Sequence, residues 1–160
     1  MALTVDTVAD TALRILSDFG LGDLTMRRLA RELGVQPSAL YWHVADKQSL
    51  FVLLAERISA EAEAAARPAE TDHSARILTF REVLLRYRES AEIVILAYSV
   101  SGAQVLPAGL RELEPGLREQ IVAFVLGAVA VEQSRAMLAR APEPTAAQSF
   151  RAGLDALLGA

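Results

Sequence analysis

The side chains best equipped for recognition chemistry are gathered in "QPSALYWH", residues 36–43. The stretch holds the only tryptophan of the chain, one of three tyrosines and one of two histidines, and the single lysine follows at position 47. The amide of Gln36 can read the edge of an adenine, and the small groups of Pro37, Ser38 and Ala39 can approach a thymine methyl. Tyr41, Trp42 and His43 add ring N–H and O–H donors of the kind that hold phosphate oxygens. Arg27 can fork onto a guanine, with Thr25 and Lys47 as anchors to the backbone of a duplex.

Such a set works only if short helices present it. In "DLTMRRLARELG", Thr25 is a good N-cap, Leu24 can staple onto Leu29, and Gly34 stands where a left-handed residue ends a helix. This predicts a helix over 26–33, with Arg27, Arg28 and Arg31 on or near its exposed side. Pro37 favours a first turn, which predicts a second short helix over 37–43. A longer helix precedes the pair, over 4–19, with Val5, Val8, Ala9, Ala12, Leu13, Leu16 and Phe19 at helical period and Gly20 as its stop. Another follows from Asp46 toward Ala66, with Leu50, Leu53, Leu54 and Ile58 inward. Two short helices about a tight turn, braced by longer ones, make a helix-turn-helix module.

Residue by residue, other readings compete. Tyr and Trp on a short helix pack more often than they bind, and three arginines on one face are commonly a solvated surface. His43 has no metal partner in reach, because His73 lies in the expected linker. It is the combination of caps, turn and spacing that favours nucleic acid.

With 160 residues, 52% of them apolar, the chain can build a substantial core. Ala, Leu, Arg and Glu recur at helical spacing and no alternating run suggests a strand, so the expected class is all-α. The formal charge of −4 argues against indiscriminate coating of nucleic acid but leaves room for a local footprint. There is no cysteine, which removes disulfides, thiolate metal sites and thiol nucleophiles. The start "MALTVDTVAD" lacks the basic and apolar pattern of an export signal, and the uncharged span 93–110 is interrupted by Pro107 and polar residues, so a cytoplasmic chain without a membrane helix is expected.

The composition shift at "AAARPAETDHSAR", around Pro68, suggests a boundary. The expected organisation is a DNA-binding module over 1–47, a connecting helix and linker over 48–70, and a helical regulatory and dimerisation unit over 71–160. Within the last, helices are expected from about Ile77 to Glu89, from Ala91 to Ser101, from Gln120 to Arg140, and after a second boundary at "APEPT". The segment between 102 and 119 reads as turn and irregular structure. The helix over 120–140 is apolar almost all round, and the last one carries a stripe of Phe150, Gly153, Leu154, Leu157 and Leu158. Surplus apolar surface of this kind suggests a two-fold dimer in which the last two helices pair with their copies, with Gly127 and Ser134 allowing close approach.

The segment "LTMRRLARELGVQPSALYWHVADKQSLFVLLAERI" closely resembles the DNA-binding domain of the tetracycline-repressor (TetR) family, and "YWHV" followed by "DK" resembles the branch nearest the tetracycline repressor. The likeness is strong over about 5–58 and continues more weakly through "LLRYRESAEIVILA" and "VLGAVAVEQSR". It implies a homodimer with one recognition helix per subunit, an operator on double-stranded DNA, and a small-molecule effector whose binding releases that DNA. By position it makes Thr25, Arg27, Gln36, Pro37, Ser38, Ala39, Tyr41, Trp42, His43 and Lys47 the DNA-facing set.

The residues around the two middle helices and the long one suggest an effector pocket lined by Leu84, Ile95, Tyr98, Ser99 and Val131, suited to a mostly apolar ligand; core packing accounts for the same residues equally well. In the resembled branch a histidine and an acid take part in holding the magnesium of the drug complex, and those places fall on Val94 and Val131. Apolar side chains cannot ligate Mg²⁺, so a sensor of metal-tetracycline is not expected, and no cofactor is. The join "PGLREQIVAFVLG" also leaves little room for the helix such proteins usually carry before the long one. The alternatives are an activator of the same family, a helical protein-interaction module without operator specificity, and a small helical enzyme. The last lacks a coupled acid-base set, with Glu132 showing no evident partner.

Overall fold

The computed structural model describes residues 3–66, 72–138, 141 and 143–159, and among them the regular structure is helical throughout. The first helix, α1 (Val5–Phe19), starts in a capping box: Thr4 Oγ1 accepts the Thr7 N–H at 3.1 Å, and Thr7 Oγ1 accepts the Thr4 N–H at 2.9 Å. Its buried stripe of Val8, Ala9, Ala12, Leu13 and Leu16 follows the predicted period, with Ile15 added to it, whereas Val5 and Phe19 at the two ends are exposed. α2 (Met26–Leu33) and α3 (Pro37–Tyr41) come next, and then α4 (Lys47–Ala65), whose start is capped by Asp46 Oδ1 accepting the Ser49 N–H at 2.7 Å. α4 packs on α1, with Arg57 donating to Asp6 and Asp10, and on two helices of the later half, His73–Leu84 and Ser90–Ser101, so one continuous rod carries the DNA-binding module and the regulatory half.

That half consists of α5 (His73–Leu84), α6 (Ser90–Ser101), a 3-10 turn over 102–105, a short α7 (Ala108–Arg111), α8 (Pro115–Met137) and α9 (Ala146–Leu158). α6 lies between α4 and α8, and α9 packs on α8 and α5. Ile77, Phe80, Leu84, Ile93, Val105, Ile121, Val125 and Val129 are fully buried where these helices meet. The expected boundary at Pro68 lies outside the described residues.

The sequence reading needs four corrections of extent. α3 stops at Tyr41 rather than His43, because the His43 N–H turns back to Leu40 O at 2.9 Å. α5 starts four residues before Ile77, capped by Asp72. This takes His73 out of the linker and sets its Nδ1 2.9 Å from Gly109 O. α5 also ends at Leu84 rather than Glu89, since its last carbonyls are taken by tertiary partners described below. The segment read as irregular is largely helical, holding the 3-10 turn, α7 and the first turn of α8. Pro115 stands at the start of α8, and Glu114 Oε2 accepts the Leu117 N–H at 3.1 Å, a cap hidden in a stretch rich in helix breakers. The predicted end of the long helix at Arg140 lies outside the described residues; the described helix ends at Met137.

Candidate nucleic-acid interface

The turn between α2 and α3 is set by Gly34, which adopts φ 68° and ψ 27°, a left-handed conformation that costs a residue with a Cβ about 1 kcal/mol or more. Thr25 Oγ1 accepts the Arg28 N–H at 3.1 Å to begin α2. Leu29 and Ala30 of α2, Leu40 of α3 and Val44 just beyond it are buried against the core, and this anchors the inner side of the module. The outer side is therefore fixed by elimination.

Thr25, Arg27, Gln36, Pro37, Ser38, Tyr41, Trp42 and His43 are all exposed, while Ala39 and Lys47 are half-buried. Trp42 is 90% exposed and Tyr41 49%, so neither ring is held in the core. Gln36 occupies the N-cap position of α3 yet makes no capping bond, which leaves its amide free. Arg27 and Arg31 have no ion pair among the described residues, whereas Lys47 Nζ sits 5.5 Å from the centroid of the Phe51 ring. Asp46 lies beside Lys47, and the Ser49 N–H it accepts holds its carboxyl below the usual range, so it stays ionised as a cap. The arrangement offers donors, an amide and two open aromatic rings to a polyanion, with the capping Asp46 as the acid next to Lys47.

Arg28 departs from the expected basic face. Its Nη1 donates to Asp23 Oδ1 at 2.5 Å and its guanidinium lies 3.7 Å from the centroid of the Phe19 ring. It braces the turn after α1 rather than facing outward, a role its spacing alone does not reveal.

In the regulatory half the five residues expected to line one pocket are dispersed. Leu84 is in the core; Ile95, Tyr98 and Ser99 line a groove of about 290 Å³ between α6 and α8. Val131 lines a second groove of about 390 Å³ between α8 and α9. Val94 is fully buried and Val131 is 53% exposed, so the two positions that would correspond to magnesium ligands are apolar and face different surroundings. Among the described residues no three His, Asp or Glu side chains are placed to hold a metal ion.

Comparison with known proteins agrees with this geometry. Residues 8–54 match the model of the bacterial regulatory proteins of the tetR family. The chain is 32% identical over 153 residues to the class E tetracycline repressor protein of Escherichia coli, covering 82% of this chain and 70% of that one. The chain belongs to the TetR family. It is thus a DNA-binding transcriptional regulator and not an enzyme. BioQ in complex with its natural double-stranded DNA operator superposes with a TM-score of 0.75 at 30% identity, over 99% of this chain and 97% of that one. A TetR variant from Acinetobacter baumannii in complex with minocycline gives a TM-score of 0.76 at 28% identity, over 99% and 96%. No helix among the described residues is long and apolar enough to cross a membrane.

Within this TetR fold, sequence reasoning missed the polar contacts that tie the regulatory helices to one another and, through Glu89, to the DNA-binding module. The Gln133 side chain of α8 donates to Leu84 O at 3.1 Å, Tyr87 O at 2.7 Å and Ser90 Oγ at 3.0 Å, which closes the turn between α5 and α6. Glu89, in a left-handed conformation at φ 55°, reaches the turn after α1 and accepts the Leu21 N–H at 2.7 Å. Glu132 does have a partner: Arg81 Nη2 meets its two oxygens at 2.6 and 2.7 Å. A buried glutamine inside an apolar helix was the one available signal, since such a group must find backbone partners.

Proposed function

We propose that this regulator is a homodimeric repressor that binds a palindromic operator through the Pro37–His43 segment and is released by a small, mostly apolar effector. The observation that carries the reading is the exposure of Tyr41, at the end of α3, and of Trp42 just after it, while Leu40 beside them is buried. Two large rings exposed side by side form a contiguous apolar patch of the kind that marks a contact surface. Thr25, Arg27, Gln36, Pro37, Ser38, Ala39, Tyr41, Trp42, His43 and Lys47 form the proposed contact set, with phosphate and base contacts divided as their chemistry suggests.

The dimer reading rests on α8 and α9. Gly127 and Ser134 lie on an exposed ridge of α8 together with Val131, and Met137 and Leu138 continue the apolar exposure at its end. Pairing this ridge with its copy would cover it and set two recognition helices about 34–36 Å apart. The grooves beside α8 then supply places where an effector could favour another separation of those helices, and DNA and effector would oppose each other by the same factor. Such a protein acts where the chromosome is, in the cytoplasm.

Selection from a pool of random duplex DNA tests the reading. Enrichment of a palindrome with half-sites one helical turn apart is the expected result. Weak, salt-sensitive binding without an enriched sequence would favour a helical interaction module instead. An operator whose occupancy raises transcription would make the protein an activator.

A further inference from the structure

Of the three arginines on α2, Arg27 and Arg31 are exposed, whereas the Arg28 side chain is only 18% exposed. Arg28 is tied to both ends of the segment 23–25. Its main-chain N–H is accepted by Thr25 Oγ1 at 3.1 Å, and its Nη1 donates to Asp23 Oδ1 at 2.5 Å. The Thr25 N–H closes the ring by donating to Asp23 O at 3.0 Å, and Leu24, between the two, is fully buried. The Phe19 ring covers the guanidinium at 3.7 Å. Arg28 Nε is buried without a partner among the described residues, so the side chain keeps this place at the loss of one donor. Two residues of the proposed contact set stand on this ring. Thr25 accepts with its oxygen and so keeps its O–H for a phosphate, and Arg27 precedes Arg28 on the exposed side. From the regulatory half, Glu89 holds the same turn at the Leu21 N–H.

We infer that Arg28 and Asp23 are positioning residues for operator binding: neither touches DNA, and their pair sets the start of α2 so that Thr25 and Arg27 meet the duplex together. The inference rests on the reading of the chain as an operator-binding regulator. Charge alone gives the opposite expectation for Asp23. Its side chain is 56% exposed two residues before Thr25, so a polyanion docked there is repelled by the carboxylate, and removing it would strengthen binding. Arg28, paired and mostly covered, adds little attraction of its own. What the pair contributes is the geometry of a phosphate contact, and that is lost whichever partner is removed.

The test follows fluorescence anisotropy of the full chain with two labelled duplexes, the palindrome selected by the wild-type protein and a scrambled duplex of the same composition. Asp23→Ala and Arg28→Met should each weaken binding to the palindrome by about tenfold, and the double variant should bind no worse than the weaker single one. On the scrambled duplex only charge counts, so Asp23→Ala should bind more tightly than wild type and Arg28→Met no more tightly. An effect on folding alone would not split the two duplexes in this way. If Arg28→Met melts below the assay temperature, Asp23→Ala, a change in an exposed turn, decides the sign by itself. An Arg28 that swings out to a phosphate would be freed by Asp23→Ala and would tighten the palindrome complex. A palindrome that Asp23→Ala binds as tightly as wild type, or more tightly, therefore overturns the inference and leaves the operator reading standing. A wild-type protein that selects no palindrome removes both.

Discussion

Glu89 accepts the Leu21 N–H at 2.7 Å, and a Cβ placed on the neighbouring Gly20 would lie 2.6 Å from the same carboxylate oxygen. The turn after α1 and the turn before α6 are therefore fitted to each other at one atom. Both sides carry unusual backbone, φ 86° at Gly20 and φ 55° at Glu89. The strain at Glu89 persists because the Gln133 amide holds the Leu84 and Tyr87 carbonyls before it and the Ser90 hydroxyl after it.

Gly20→Ala is expected to destabilise the fold by about 2 kcal/mol or more, from the left-handed backbone and the clash together. Glu89→Ala should cost about 1–2 kcal/mol by leaving the Leu21 N–H unpaired. Because the second change removes the atom that the first strikes, the double variant should cost less than the sum. Urea midpoints of the four proteins measure the coupling, and strict additivity would show that the two turns relax independently.

Trp42→Ala should weaken operator binding by about tenfold or more while leaving the thermal midpoint unchanged, because the ring is 90% exposed. Leu40→Ala, two residues earlier and fully buried, should instead cost about 2–4 kcal/mol of stability. Fluorescence anisotropy against the selected operator and a melting curve for each variant separate contact from packing. A melting point that falls with Trp42→Ala would place that ring in a structural role.

The helix-turn-helix was legible because local rules decide it: Thr25, Gly34, Pro37 and Asp46 act within a turn of themselves, and α2 has the bounds their positions predict. The regulatory half was less so. Where α5 ends depends on Gln133, nearly fifty residues away in sequence, and periodicity carries no trace of that partner. The Arg81–Glu132 pair, with Arg81 stacked 4.9 Å from the Phe150 ring centroid, likewise joins three helices that only the fold brings together. For the candidate interface the residue types were readable, but their exposure was not: a tryptophan on a short helix gives no sign in sequence of which way it faces.

Tyr87 donates to Glu61 Oε2 at 2.6 Å, and burial, with that bond next, pushes its pKa up to about 12. A tyrosine whose folded pKa is raised contributes stability that is complete below the unfolded value near 10 and fades as pH rises toward 12. The wild-type denaturation midpoint should therefore fall between about pH 10 and 12 more steeply than that of Tyr87→Phe, which has no proton to lose there. Parallel curves for the two proteins would mean that the phenol is as solvated in the fold as outside it.

Magnesium-tetracycline should not release this protein from its operator. The two positions that the family resemblance sets against metal-holding residues are Val94, buried on α6, and Val131, open on α8, and neither can offer an oxygen or nitrogen to the ion. Replacing only Val94 by His would put an imidazole into a fully buried aliphatic site, so it should cost stability without creating affinity. Tetracycline fluorescence titrated with and without Mg²⁺ gives the answer: no magnesium-dependent rise is expected for the protein or for Val94→His. A saturable rise that EDTA abolishes would mean that oxygen ligands outside these two positions hold the metal.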